Sequence, residues 1–178
     1  MGDGIRAMSA TAYLSPETTR PRRLANVRAR FAQRHIAMRV VVGADRRRIF
    51  DALTLPEYIE AWLTLPGDHA GCRLVASQKE EAFRFDHFSA VGYDLSISGA
   101  FRVCRRGKMF FSWRKWDARD EHAWFTDSLV MIRLYGAFAK STLCLAHSGS
   151  FSEEDYCWHS EMWERSLKKL QSLFALGD

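Results

Sequence analysis

The sequence predicts an α+β fold in which an antiparallel sheet packs against one long C-terminal helix. Three observations predict it. A β-branched strand is followed by two short helical segments, six strand-like segments come next, and a long amphipathic helix over Glu153–Leu176 closes the chain. Strands grouped in sequence and covered by helices at either end are typical of α+β rolls rather than of alternating α/β folds.

The C-terminal helix is the strongest pattern in the chain. Ser152, followed directly by acidic residues, predicts a side-chain cap and an acidic first turn. Charged residues occupy one side, and each large apolar side chain on the other side contributes roughly 1.5–3 kcal/mol when buried, so this face requires a partner surface. The apolar stripe at steps of three and four residues is His159, Trp163, Leu167, Leu170 and Phe174.

The first ordered elements are a strand and a helix pair. The β-branched run from Ile36 to Val42 predicts a strand, which ends at Gly43. The segment after Asp45 places apolar residues on one side of a short helix, and Pro56 suits the first turn of a second short helix that runs to Leu63. The two helices are expected to cross the edge of the sheet.

The middle of the chain reads as strands. In the clearest of them, Tyr93, Leu95, Ile97, Phe101 and Val103 share one parity and are predicted to share one face of the sheet. The predicted strands are Cys72–Ser77, Ala82–Ser89, Tyr93–Cys104, Lys108–Trp116, Trp124–Tyr135 and Lys140–His147.

Charge divides the chain into two parts. Residues 1–34 hold seven of the 26 basic residues and two of the 21 acidic ones, so residues 35–178 carry 19 of each and are neutral. We expect a flexible basic extension over 1–34 and a single domain over 35–178. A neutral domain argues against nucleic-acid binding, because the net charge of +5 belongs to the extension.

Composition also limits location and cofactors. No apolar run approaches the ~20 residues of a membrane span, and the opening residues lack a secretory signal. The four cysteines show no framework spacing, which predicts free thiols in the cytoplasm. Phosphate loops, nucleotide fingerprints and metal-ligand spacings are absent from the sequence, so no cofactor is expected.

Five local motifs carry a family resemblance over about residues 36–175. They are Ala44-Asp-Arg-Arg-Arg-Ile-Phe-Asp-Ala-Leu-Thr, Pro56-Glu-Tyr-Ile-Glu-Ala-Trp-Leu, Phe111-Ser-Trp, His147-Ser-Gly and Met162-Trp-Glu-Arg-Ser-Leu-Lys-Lys-Leu. In this order the chain resembles the START-like superfamily (SRPBCC), in its branch related to the activator of the ninety-kilodalton heat-shock protein ATPase. The resemblance implies a helix-grip fold, with a curved antiparallel sheet wrapped around the long helix and a cavity between them.

The family does not specify one activity. The resemblance implies lipid carriers, polyketide cyclases, stress-response proteins and co-chaperone domains equally. The function must therefore be argued from the site itself.

Aromatic residues and two histidines are the candidate ligand contacts. They lie on elements expected to face the interior, where aromatic side chains equally well fill an ordinary core. The candidate cavity residues are Trp62, Phe85, Tyr93, Phe101, Trp113, His147, His159 and Trp163.

The histidines admit a second interpretation. A His near neutrality suits proton transfer, but no partner that would orient either ring is evident from the sequence. We interpret His147, in the His-Ser-Gly motif, as capping the turn from strand to helix. Cys144, His147, Cys157 and His159 include zinc-ligand types, but their spacing is not that of a zinc finger, so no metal is expected.

Three functions remain open. The first is sequestration of a small hydrophobic or amphipathic molecule beneath the long helix, with no catalysis assumed. The second is docking on a chaperone or another protein. The third is a cyclase or hydratase that uses the same cavity, with His147 or His159 as the base. The protein is expected to be a monomer or homodimer.

Overall fold

The computed structural model describes residues 32–66, 72–76, 82–89, 92–117 and 128–175. The predicted extension over 1–34 lies almost entirely outside these residues, as do the first residues of the strand expected from Trp124. The helices are α1 (Arg46–Thr54), α2 (Pro56–Trp62) and α3 (Glu153–Ala175). The strands are β1 (Ala32–Val42), β2 (Cys72–Ala76), β3 (Ala82–Ser89), β4 (Gly92–Arg105), β5 (Lys108–Asp117), β6 (Ser128–Ala137) and β7 (Lys140–Phe151).

The seven strands form one antiparallel sheet in the order β1-β7-β6-β5-β4-β3-β2. Each strand from β2 to β7 pairs with its neighbours in the chain, and β1 returns to pair with β7. The two short helices follow the first strand and the long helix follows the last. The predicted α+β helix-grip fold is therefore confirmed.

Helix α3 buries the face that the sequence predicted. Ser152 caps it, because its hydroxyl accepts the Asp155 backbone N–H at 3.0 Å and donates to the Asp155 carboxylate at 2.9 Å. The buried positions are His159, Met162, Trp163, Ser166, Leu167 and Leu170. Ion pairs between Arg34 and Glu153, and between Lys115 and Asp155, tie the first turn of the helix to β1 and β5.

The helix pair covers another part of the sheet. The Asp45 carboxylate caps α1 by accepting the N–H groups of Arg47 and Arg48 at 2.8 and 2.9 Å, and Pro56 begins α2. Ser166 on α3 joins this segment through Thr64, whose backbone N–H donates to the serine hydroxyl at 2.9 Å. This hydrogen bond ties the end of the helix pair to α3.

The last strand runs four residues beyond the predicted end at His147, to Phe151. Gly149 lies in this extension of the strand and pairs with both Arg34 on β1 and Ser128 on β6. A Cβ at Gly149 would lie 2.7 Å from the Ser128 Cβ. Close packing of neighbouring strands, not a change of direction, accounts for this glycine.

The shared face predicted for Tyr93 through Val103 is wrong at its end. A bulge between Phe101 and Val103 shifts the register: Phe101 pairs with Phe111, while Val103 pairs with Phe110. Adjacent residues of a strand point to opposite faces, so Val103 leaves the face that Phe101 occupies.

None of the helices in the described part of the chain has the length and apolar character that a membrane span requires.

Candidate functional site

A cavity lies where the helix pair, the middle strands and α3 meet. It is partly open to solvent, its empty space including the opening is about 530 Å³, and about 40 Å³ of this admits the centre of a water molecule. The described residues that line it are Leu53, Thr54, Ile59, Trp62, Leu63, Phe83, Phe85, Phe101, Met109, Phe111, Trp113, Ile132 and Trp163. Twelve of these thirteen side chains are apolar or aromatic, so the cavity favours an apolar occupant.

Phe83 is the centre of the aromatic wall. Its ring centroid lies 5.4 Å from Phe85, 5.3 Å from Phe101, 5.5 Å from Phe111 and 6.0 Å from Trp113, in tilted or edge-on arrangements. These separations are those of favourable aromatic pairs, which stabilise the wall beyond the burial of its apolar area. Gly99 makes the arrangement possible, because a Cβ there would meet the Ser112 carbonyl oxygen at 1.9 Å and the Phe83 ring at 2.5 Å.

Most polar groups on lining residues already have a partner. The Trp62 indole N–H donates to the Ala52 carbonyl at 2.7 Å, and the Thr54 hydroxyl donates to the Phe50 carbonyl at 2.7 Å. The Trp163 indole N–H donates to His147 Nδ1 at 3.0 Å. Trp113 differs: its indole N–H is buried and has no hydrogen-bond partner among the described residues. A buried donor without an acceptor costs about 1–3 kcal/mol.

His147 is held in one tautomer by a chain of hydrogen bonds. Its Nδ1 accepts from Trp163, so this nitrogen carries no proton. The Ser128 hydroxyl donates to the Trp113 carbonyl at 2.8 Å, so its oxygen accepts the proton of His147 Nε2, which lies 2.8 Å away. Burial lowers the pKa of His147 well below its usual value, and the nearby His159 lowers it further. Both ring nitrogens are engaged, and the imidazole is neutral.

His159 packs edge-on against His147, with 4.9 Å between the ring centroids. Its Nδ1 donates to the Asp155 carbonyl at 2.7 Å, whereas Nε2 is buried with no partner among the described residues. Burial lowers the pKa of His159 to about 4. Burial alone would raise the pKa of the Asp155 carboxyl, but the hydrogen bond and charge of Lys115 and the bond from Ser152 lower it below its usual value.

The structure brings together five of the eight predicted cavity residues: Trp62, Phe85, Phe101, Trp113 and Trp163 line the cavity. The two histidines are not among the described lining residues: the His147 ring lies 6.0 Å from the Trp163 ring, and the His159 ring lies 4.9 Å from the His147 ring. His147 lies inside β7 and its ring bonds to Ser128 and Trp163, so the interpretation of this residue as a cap of the strand-to-helix turn is wrong. The Tyr93 side chain lies outside the described residues.

Several lining residues were not among the predicted ones. Phe83 shares the parity of Phe85 on β3, and Phe111 and Met109 share the parity of Trp113 on β5, so alternation alone would have found them. Leu53, Ile59 and Leu63 could not be found in this way, because their approach to the sheet depends on the turn between α1 and α2.

The cysteines and histidines form no metal centre in the part of the chain that the structure describes. No group of three or more His, Cys, Asp or Glu side chains is placed there to hold a metal ion. Cys104, Cys144 and Cys157 carry free thiols. Burial raises the pKa of the Cys104 thiol, which reduces its thiolate fraction and its reactivity.

Comparison with known proteins agrees with this architecture. The family model described as "Activator of Hsp90 ATPase homolog 1-like protein" matches residues 43–175. No curated protein matches the sequence of this chain.

Solved structures similar to this chain share its fold. A Chromobacterium violaceum protein is 19% identical with a TM-score of 0.64, the match covering 79% of this chain and 96% of that one. The AHSA1 protein of Silicibacter pomeroyi is 18% identical with a TM-score of 0.63, covering 82% and 100%. CalU16 of Micromonospora echinospora is 21% identical with a TM-score of 0.54, covering 82% and 78%. At these identities the likeness extends to the fold alone.

Proposed function

The chain belongs to the family of proteins similar to the activator of Hsp90 ATPase homolog 1, and from that premise we propose that its domain binds a small hydrophobic or amphipathic molecule in the cavity between sheet and helices. The supporting observation is the cavity itself: an aromatic wall, an apolar lining and a partial opening to solvent. The mechanism is sequestration, in which apolar area leaves water and the fixed rings select the shape of the ligand.

The size of the cavity limits the occupant. Ligand pockets typically measure about 300–1,000 Å³, and the enclosed space of this cavity is well below that range. The room that admits a water centre, about 40 Å³, is that of a few waters. The ligand is therefore a compact molecule that enters from the opening and moves the α1–α2 segment away from the aromatic wall.

A binding experiment with a compact hydrocarbon tests this proposal. Methylenecyclohexane, titrated into the protein and followed by NMR chemical shifts, is expected to bind saturably and to shift signals of lining residues such as Ile132. Replacing Leu63, a lining residue, by Phe fills the space and is expected to abolish binding while the protein stays folded. Leu143→Phe, a substitution outside the cavity, controls for a general effect of added volume. Absence of saturable shifts in the unmodified protein would overturn the proposal.

A second candidate, a protein-interaction domain, is supported by exposed apolar side chains on the other face of the sheet. Val41 on β1 and Tyr135 on β6 both pair with Thr142, so the three form one row across adjacent strands. Val41 is 54% exposed, Tyr135 49%, and Phe138 in the nearby β6–β7 turn 89%. Exposed apolar side chains grouped in this way, with Thr142 between Val41 and Tyr135, suit contact with a protein.

This candidate predicts a different result. The double variant Tyr135→Ser, Phe138→Ser is expected to lose a protein partner that copurifies at fixed stoichiometry, while methylenecyclohexane binding is retained. If no partner copurifies with the unmodified chain, or if the variant retains that partner, this candidate fails.

We further propose that the protein resides in the cytoplasm. The three free thiols support a reducing compartment. Fractionation of the source cells tests the assignment, which recovery of the protein in an oxidising compartment would contradict.

A further inference from the structure

The unpartnered indole N–H of Trp113 bears on the chemistry of the ligand. Four side-chain polar atoms among the described residues are buried without a partner: Trp113 Nε1, Ser141 Oγ, His159 Nε2 and Ser160 Oγ. Only Trp113 also lines the cavity. Buried polar groups in proteins are almost always hydrogen-bonded, so this exception requires an explanation.

The neighbours of Trp113 hold the indole in place. Its ring lies 5.1 Å from Trp163 and 6.0 Å from both Phe83 and His147, and the residue is 2% exposed. Its backbone carbonyl is fixed by the Ser128 hydroxyl at 2.8 Å. The ring is therefore packed on several sides, and its N–H is buried.

The other two indoles of the cavity make the contrast specific. Trp62 donates its N–H to the Ala52 carbonyl, and Trp163 donates to His147. All three tryptophans line the same cavity. The chain supplies acceptors for two of them and none, among the described residues, for Trp113.

We infer that Trp113 donates a hydrogen bond to the ligand, and that the ligand is a neutral apolar molecule with a carbonyl-type acceptor, such as a ketone or an ester. This inference rests on the proposed function. An acceptor opposite the Trp113 N–H would satisfy a buried donor that otherwise stays unpaired. A carboxylate does not suit the site, because no described residue that lines the cavity is charged and a buried anion requires more than one N–H.

Three probes of similar size test the inference: cyclohexanone, its hydrocarbon isostere methylenecyclohexane, and the anion cyclohexanecarboxylate. In the ¹⁵N-labelled protein, cyclohexanone is expected to shift the Trp113 indole N–H signal downfield, and the hydrocarbon is expected to bind without that shift. The anion is expected not to bind. The Trp113→Phe variant assigns the signal by its loss.

The same variant gives a quantitative readout. Trp113→Phe removes the N–H and keeps an aromatic ring, so it is expected to weaken cyclohexanone binding about five- to tenfold more than binding of the hydrocarbon. Trp62→Phe is the matched control: it also shortens a wall tryptophan, but the N–H it removes is already bonded to the chain, so the ratio of the two affinities is expected to stay constant.

The outcomes separate the inference from the proposed function. If both neutral probes bind and the Trp113 signal does not respond to the ketone, the inference is overturned and the proposed function stands. Tighter binding of the anion also overturns the inference. If no probe binds, both fail. If Trp113→Phe does not fold, nuclear Overhauser contacts of the indole N–H with the neighbouring Phe83 and Trp163 rings assign the signal instead, so the measurement on the unmodified protein remains decisive.

Discussion

The two halves of the inner sheet face are filled differently. Beneath α3, in what we call the packed half, the inward residues of β7 and β6 are fully buried and include Leu143, Leu145, His147 and Val130. In the open half, where β3, β4 and β5 face α1 and α2, aromatic rings surround empty space. Trp163 belongs to both halves, since it lines the cavity and bonds to His147.

The difference shows how one sheet provides both stability and a site. Apolar burial stabilises the packed half, and so do the hydrogen bonds that hold His147 between Ser128 and Trp163. The open half forgoes part of that stabilisation, because its aromatic rings surround space that no described side chain fills. Unfilled space in an otherwise close-packed protein is what a ligand can use.

The largest effect is expected where the halves meet. Trp163→Ala removes a 1% exposed side chain and the donor to His147, so the free energy of unfolding should fall by about 3–5 kcal/mol. Urea denaturation measures it. Leu173→Ala, a 40% exposed position on the same helix, is the control and should change stability by less than about 0.5 kcal/mol. A loss below about 1 kcal/mol for Trp163→Ala would show that the halves are not joined by this residue.

Acid should lower the stability of the folded protein through the buried histidines of the packed half. The pKa of His159 is lowered by burial to about 4 in the folded protein, compared with about 6.5 when unfolded. Between these values the unfolded state binds a proton that the folded state excludes, so stability is full above about pH 6.5 and falls as the pH drops toward 4, by about 3 kcal/mol in total.

The pKa of His147 is lowered in the same direction. The carboxyl of Asp155, with its lowered pKa, loses its contribution only at more acidic pH than the histidines. Urea unfolding at pH 7, 6 and 5 measures the trend, which His159→Phe should flatten. A stability that is constant from pH 7 to pH 5 in the unmodified protein would contradict the neutral, buried histidine pair.

Added side-chain volume should lower the free energy of unfolding more in the packed half than in the open half. Leu143→Phe enlarges a residue with 0% exposure in the packed half and should cost about 1–3 kcal/mol, because the added atoms have no space. Leu63→Phe, on the cavity wall, should cost less than about 1 kcal/mol, since the ring enters empty space. Equal costs in urea unfolding would mean that the cavity is not open in solution.

The smallest effect is expected in the β6–β7 turn, which belongs to neither half. Phe138 is 89% exposed and has a φ of 62°. This backbone conformation costs little free energy only for glycine and asparagine. Phe138→Gly should raise the melting temperature slightly, corresponding to about 0.4–1 kcal/mol. Methylenecyclohexane affinity should not change. A lower melting temperature would show that the Phe138 side chain makes a contact on the surface.

The periodicity of apolar residues predicts most of the fold, and the predictions that fail concern single positions. The α3 stripe and the strands follow from spacing because burial of one face forces period 3.6 or 2. The bulge after Phe101 has no sequence signal, and Gly149 resembles a turn residue although it serves strand packing. Both depend on residues of a neighbouring strand.

The candidate site was harder to predict from the sequence than the fold. Aromatic residues such as Trp113 could be assigned to the interior, but whether they fill it or line a space depends on their mutual packing. The partners of His147 come from β6 and α3, which spacing along one strand cannot indicate. That the Trp113 N–H has no acceptor among the described residues is likewise a property of the assembled fold.

Native mass spectrometry of the gently purified protein, compared with the denatured mass of the same sample, shows whether the open half binds a ligand. We expect an extra mass that disappears on denaturation, or that appears after incubation with a lipid extract of the source cells, and that Leu63→Phe does not retain. A bare polypeptide mass under both conditions would contradict ligand binding in the open half.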